Sequence, residues 1–112
     1  MKLAVRKENE ITFVTINSER ATLVDAPEFR ETLLDLIENK NSRKIVVDFD
    51  GVEFVDSTFL SALVVGLKKI TEKMGDIKVA NLESPVRVMF ELTRLYKVFE
   101  VFDNKLDAVE SF

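Results

Sequence analysis

The feature that most constrains the fold of this chain is an apolar helical pattern between Phe54 and Gly75. Apolar residues recur here every three or four positions, and extra ones widen the stripe, at positions 59, 60, 62, 63, 64, 65, 67 and 70. A helix with so little polar face in its first turns must be covered on most sides by other elements. The stretch therefore predicts a largely buried central helix.

Both ends of this helix are marked in the sequence. Asp56, Ser57 and Thr58 have short oxygen-bearing side chains that can accept hydrogen bonds from the unpaired amides of a first turn. Gly75 is suited to a left-handed stop at the other end. Because a helix amino terminus is electropositive, an anion such as phosphate is favoured beside Ser57 and Thr58. This terminus is the candidate functional site.

Composition excludes several kinds of chemistry. The 112 residues predict one domain spanning residues 1–112, and they include neither cysteine nor histidine. This removes disulfides, the common zinc sites and catalytic pairs built on those residues. The three glycines are isolated, so the sequence has no phosphate-binding glycine loop, and we expect no cofactor.

Charge and hydropathy exclude other partners. The formal net charge of -4 argues against direct nucleic-acid binding, which needs a basic surface to neutralise phosphates. No apolar run approaches the length of a membrane span, and the first residues are charged too early for a signal peptide. We therefore expect a cytoplasmic protein that contacts neither a membrane nor nucleic acid directly.

The rest of the chain alternates strand-like and helix-like segments. Strand patterns rich in β-branched residues cover residues 2–6, 10–17, 44–49, 76–82 and 98–102. The first two of these are joined by a tight turn, and helical patterns separate the others. This order predicts an α/β fold with a mixed sheet of four to five strands, mostly parallel with an antiparallel first strand, packed with about four helices.

Helix starts and buried aromatic residues follow from local patterns. Asp25 is predicted to cap a helix, with Glu28 completing a capping box, and Ser84 is predicted to cap another helix before a proline. Asp103 or Asn104 can cap a final helix.

Most phenylalanines are expected in the core, at positions 13, 29, 49, 54, 90, 99 and 102, whereas exposure is expected at 59, beside the candidate site, and at 112.

Four acids surround the end of the third predicted strand: Asp48, Asp50, Glu53 and Asp56. They suggest a Mg²⁺ or Ca²⁺ site, but the nearby glycine has the wrong offset for an EF-hand loop and no second acid cluster follows. A phospho-receiver site, with Asp48 or Asp50 as the acceptor, would need in addition a pair of acids after the first strand, and this pair is missing. Solvated turn acids are the simpler interpretation, and we expect no metal site.

Residues 47–63 read VDFDGVEFVDSTFLSAL and resemble the signature of the anti-sigma factor antagonist family, small single-domain proteins with the STAS fold. In that family Asp-Ser-Ser/Thr-Gly-Leu opens a helix, and the serine directly after the aspartate is the phosphoacceptor. Asp56, Ser57, Thr58 and Leu60 match this motif. The likeness extends over essentially the whole chain, including residues 25–29, 80–86 and 95–102.

The chain departs from the family pattern in two places. Phe59 stands where the family usually has glycine, which puts a large side chain next to the acceptor. The loop after the second strand lacks the usual Gly-x-Leu/Ile-Asp, and its nearest acids are Glu19 and Asp25.

The resemblance implies a bacterial regulatory protein that is not an enzyme. Its unphosphorylated form would bind an anti-sigma factor that is also a serine kinase, and so free the sigma factor. Phosphorylation of Ser57, with Thr58 as the fallback acceptor, would block this binding, and a phosphatase would reverse it. The implied partner-binding residues are Asp56, Ser57, Thr58, Phe59, Glu19 and Asp25.

Two other interpretations remain open. A non-switching STAS scaffold or small-ligand-binding module within a larger assembly is favoured by Phe59 in place of glycine. An enzymatic function is the weaker one, because no base, nucleophile pair or cofactor loop is visible.

Overall fold

The computed structural model describes all residues of the chain, Met1–Phe112. Seven strands, four α-helices and a 3₁₀ helix at Leu95–Lys97 follow one another. In chain order the strands and α-helices are β1 (Leu3–Glu8), β2 (Ile11–Ile16), β3 (Arg20–Ala21), α1 (Ala26–Glu38), β4 (Lys44–Asp48), β5 (Phe54–Val55), α2 (Ser57–Glu72), β6 (Asp76–Ala80), α3 (Ser84–Leu92), β7 (Val101–Phe102) and α4 (Lys105–Glu110).

Five strands form the main sheet, in the order β1-β2-β4-β6-β7. β1 and β2 are an antiparallel hairpin, and every other neighbouring pair is parallel. The central strand β4 is buried on both faces from Ile45 to Val47, as its β-branched run predicts. The predicted mixed sheet with an antiparallel first strand is therefore confirmed.

Alternate residues of the strands serve two cores on opposite faces of the sheet. The larger core contains Ile45 and Val47 of β4 together with side chains of α1, α2 and α3. The smaller one contains Val46 of the same strand and is covered by α4 through Ala108. Most of the predicted apolar stripe of α2 is buried, but Val65 is 37% exposed and Val64 and Leu67 are partly buried. None of the helices combines the length and apolarity that a membrane crossing requires.

A second, two-stranded sheet was not predicted. β3 and β5 pair in parallel, with Arg20 opposite Phe54 and Ala21 opposite Val55. Phe54 is 41% exposed, with the Arg20 guanidinium 4.3 Å from its ring centroid, so its predicted core position is wrong. This small sheet positions the candidate site because β5 leads directly into α2 and β3 leads into the loop before α1.

Helix starts are close to the predicted positions, but two of the caps differ. Asp25 precedes α1, yet its carboxylate accepts no hydrogen bond from the first turn, so the capping box with Glu28 does not form. The carboxylate accepts instead from the Thr22 amide at 3.0 Å, within the preceding turn. α3 begins at Ser84 itself, which therefore is not its cap. Asn104 caps α4 through the Asp107 amide, as predicted.

The end of α2 differs from the prediction in its backbone. Met74, with φ of 67°, takes the left-handed conformation expected at Gly75. Gly75 is required for another reason, since a Cβ there would lie 2.5 Å from the Arg43 carbonyl oxygen and 2.7 Å from Ile70 Cγ1. The glycine allows the chain to pass close to the start of β4 and enter β6.

Candidate functional site

Asp56 is the residue on which the geometry of the site depends. Its backbone is extended, and its Oδ1 accepts a hydrogen bond from the Phe59 amide at 2.8 Å, which confirms the predicted cap of α2. Its Oδ2 accepts from the Leu23 amide, also at 2.8 Å. One carboxylate therefore fixes both the start of α2 and the loop that leads into α1.

Ser57 and Thr58 form the exposed first turn of α2. Their amides donate no hydrogen bond within the chain, so two donors at an electropositive terminus remain open to solvent. The Ser57 carbonyl accepts from Ser61 Oγ at 2.9 Å. The Ser57 hydroxyl itself has no hydrogen-bond partner in the chain and is exposed. An exposed hydroxyl in this setting can accept a phosphoryl group and keep it solvated.

Phe59 does not lie on this surface, and the prediction that it is exposed is wrong. The residue is 0% exposed, and its ring stacks on Phe29 of α1, with centroids 4.5 Å apart and an interplanar angle of 14°. The third position of α2 points into the core between the two helices, in register with the apolar stripe. The ring therefore cannot reach a partner directly in this conformation and does not crowd Ser57. Phe112, also expected to be exposed, is partly buried beside the smaller core.

The two acids from the loop lie in different settings. Glu19 is exposed, and its carbonyl accepts from the Glu53 and Phe54 amides, which ties β3 to β5. Asp25 is partly buried, with its carboxylate engaged by the Thr22 amide. Asp25 therefore shapes the loop before α1, whereas the Glu19 side chain is open to solvent.

A groove of about 200 Å³ runs between the amino ends of α1 and α2, next to the candidate acceptors. Its lining consists of apolar and small polar side chains and one cation: Leu23, Ala26, Pro27, Arg30, Thr58, Ser61, Ala62 and Val65. Of these, only Thr58 was identified from the sequence. Leu23 and Val24 are two large apolar residues directly before a predicted helix start, and this was the sequence signal that could have indicated the surface.

The acids near the end of β4 do not assemble into a metal-binding group. Asp48 is almost fully buried, and its Oδ1 accepts from Asn81 Nδ2 at 2.8 Å and from the Asp50 amide at 3.0 Å. Its other oxygen lies 3.9 Å from Lys105 Nζ. Asp48 thus connects the carboxyl ends of β4 and β6 with α4, and Asp56 faces the loop before α1 instead.

A mixed sheet with helices on both faces, and an exposed Ser-Thr pair opening a buried central helix, define an α/β domain of the STAS type. The chain belongs to the STAS domain family, whose family model matches residues 2–108. Its curated relatives include the anti-sigma F factor antagonist of Paenibacillus polymyxa, 25% identical over 75 residues, which are 67% of this chain and 64% of the relative. The chain thus spans just under two thirds of that relative's length.

Solved structures share the fold over nearly the whole chain. An anti-sigma factor antagonist (STAS) domain protein from Planctomyces limnophilus is 23% identical, with a TM-score of 0.88 over 97% of this chain and 96% of that one. SpoIIAA of Bacillus, an anti-sigma factor antagonist, has been determined in unphosphorylated and phosphorylated forms. Both forms have a TM-score of 0.76 over 98% of this chain and 96% and 98% of theirs, at 12% and 13% identity.

Proposed function

We propose that this protein is an anti-sigma factor antagonist that is switched by phosphorylation of Ser57. The unphosphorylated form binds an anti-sigma factor that is also a serine kinase, and the sigma factor is released. Phosphorylation ends this binding, and a phosphatase restores it. The chain acts in the cytoplasm as one STAS domain, without catalytic activity or direct contact with nucleic acid. The observation that carries the proposal is an exposed serine directly after the Asp56 cap of α2, in a STAS-family chain.

The chemistry of transfer is supplied by the partner. The Ser57 hydroxyl attacks the γ-phosphorus of ATP bound by the kinase, a P–Oγ bond forms, and the bond to the bridging oxygen breaks to release ADP. The hydroxyl proton passes to a base of the kinase, since this chain has no histidine and no acid hydrogen-bonded to Ser57. The existence of a phosphorylated form of SpoIIAA, which shares the fold, supports this role.

Charge at the start of α2 explains how such a switch can work without refolding. A phosphate on Ser57 adds about 1.5 to 2 negative charges beside amides that have no partner within the chain. The helix terminus therefore tolerates the modification, while a partner surface docked there meets a new anion next to Asp56. Binding is lost because the charge of the docking surface changes sign, whereas the core beneath this surface is unaffected.

The alternative of a non-switching scaffold or ligand-binding module loses the feature that favoured it. That interpretation rested on the large residue in place of the family glycine. Because Phe59 is fully buried against Phe29, the substitution leaves the surface around Ser57 open. The phosphorylation switch is therefore the better supported function.

The test is intact-mass measurement after incubation with ATP and each anti-sigma factor kinase of the same genome. We expect one added phosphate on the native protein, none on Ser57→Ala, and one on the matched control Thr58→Ala. A phosphate retained by Ser57→Ala but lost from Thr58→Ala would assign the acceptor to Thr58. Binding without phosphorylation would indicate a constitutive antagonist, and neither binding nor phosphorylation with any kinase would refute the proposal.

A further inference from the structure

We propose that the groove between α1 and α2 is the docking point for a partner segment that carries a carboxylate next to a large apolar side chain. The apolar side chain enters the groove beside Leu23 and Val65, and the carboxylate pairs with Arg30. This inference rests on the proposed function, because the partner in question is the anti-sigma factor kinase. It adds a docking surface that is separate from the phosphoacceptor.

The apolar part of this surface is exposed and held in place. Leu23 is 61% exposed and Val24 is 79% exposed, on a loop where large apolar residues would otherwise turn inward. The Leu23 amide donates to Asp56 and the Thr22 amide to Asp25, and the Asp25 amide donates back to the Thr22 carbonyl at 2.9 Å. The loop is therefore held in place before any partner arrives. A surface that is already ordered loses little entropy on binding.

The charged part of the surface indicates which charge the partner segment should carry. Arg30 is exposed, is the only charged residue lining the groove, and makes no ion pair or side-chain hydrogen bond within the chain. The acids nearest in sequence, Glu28 and Glu31, line a different surface and form no ion pair with Arg30. Glu28 lies 3.6 Å from the Met1 ammonium. Asp56 has both carboxylate oxygens bonded by backbone amides. Arg30 therefore offers an unpaired guanidinium beside an apolar groove, for which a carboxylate is the complementary group.

The acceptor lies beside the groove and not within it. Thr58 and Ser61 line the groove, whereas Ser57 does not. A partner segment seated in the groove can therefore leave the Ser57 hydroxyl free for the kinase active site. Docking and phosphoryl transfer then depend on different residues, so a change at Arg30 should raise KM for phosphorylation and leave kcat unchanged.

The experiment measures binding, without ATP, between this protein and the anti-sigma factor kinase that phosphorylates Ser57. We expect Arg30→Glu to weaken binding at least about tenfold and Leu23→Ala by several-fold. Lys40→Glu is the charge control, because Lys40 is an exposed cation without an ion pair and lies just beyond the carboxyl end of α1. Leu106→Ala is the apolar control, because Leu106 is 65% exposed on α4. Both controls should bind within about twofold of the native protein.

Three outcomes separate this inference from the function on which it rests. Weaker binding of both groove variants, with native far-ultraviolet circular dichroism and an unchanged kcat for Ser57 phosphorylation, supports the docking surface. Native affinity of Arg30→Glu, while Ser57 is still phosphorylated, overturns the docking surface and leaves the proposed function intact. Absence of binding by every anti-sigma factor kinase of the genome overturns both.

Discussion

Replacement of Phe59 tests whether this side chain supports the fold or the partner interface. Phe59→Gly restores the residue that the family usually has, and Phe59→Ala removes the ring with a smaller change to the backbone. Both variants remove a ring that is fully buried and stacked 4.5 Å from Phe29. We expect both to reduce the free energy of unfolding strongly and to leave phosphorylation of Ser57 in the folded fraction unchanged.

The magnitude follows from burial. Truncation of a fully buried phenylalanine to alanine costs roughly 3 to 5 kcal/mol, and glycine in a helix adds about 0.5 to 1 kcal/mol. Since a domain of this size has a total stability of about 5 to 15 kcal/mol, Phe59→Gly is expected to leave it marginal. Phe54→Ala is the matched control, because that ring is 41% exposed, and its loss should cost about 1 to 2 kcal/mol.

The assay is urea unfolding followed by circular dichroism, with thermal unfolding as a second measurement. At about 4 °C per kcal/mol, Phe59→Ala should lower Tm by about 15 °C and Phe54→Ala by about 5 °C. Equal destabilisation by the two variants would contradict the assigned burial of Phe59. A Phe59→Ala variant with native stability but impaired kinase binding would show that Phe59 belongs to the partner interface, and would refute the reasoning.

Three further predictions concern residues outside the acceptor. Asp56→Ala should lower stability by about 1 to 2 kcal/mol and speed hydrogen exchange in the loop before α1, since one carboxylate caps α2 and holds that loop. Gly75→Ala should cost roughly 1 to 3 kcal/mol in chemical unfolding, because its Cβ would meet the Arg43 carbonyl. Lys78→Met should change the unfolding free energy by less than about 1.5 kcal/mol, because burial offsets its ion pair with the exposed Glu100.

Structural features that depend on a short stretch of sequence were predicted well. The start of α2 follows from Asp56 before an apolar stripe, and the interior position of β4 follows from its β-branched run. The hairpin of β1 and β2 was recognised from two strand patterns and a short turn. Each of these depends on residues within about one turn or one strand of each other, which periodicity and capping rules describe directly.

Features that depend on distant parts of the chain were not predicted. The pairing of β3 with β5 joins two-residue strands more than thirty positions apart, too short for any alternation to appear. The requirement for Gly75 comes from Arg43, on a different element. The capping box at Asp25 satisfied its sequence pattern, but the carboxylate formed a turn with Thr22 instead. Arg30 carried no signal, because its role depends on the groove that α1 and α2 create together.

The burial of Phe59 shows why the acceptor and the core can vary independently at this site. Ser57 and Phe59 are two positions apart on α2, so their side chains project about 200° apart around the helix, one to solvent and the other to α1. Asp56 fixes both through a single cap at the Phe59 amide. A large residue at the family's glycine position is therefore compatible with an open acceptor, provided that α1 offers a complementary ring. Phe29 supplies that ring. A large residue at position 59 should therefore be tolerated only while Phe29 is present to pack against it.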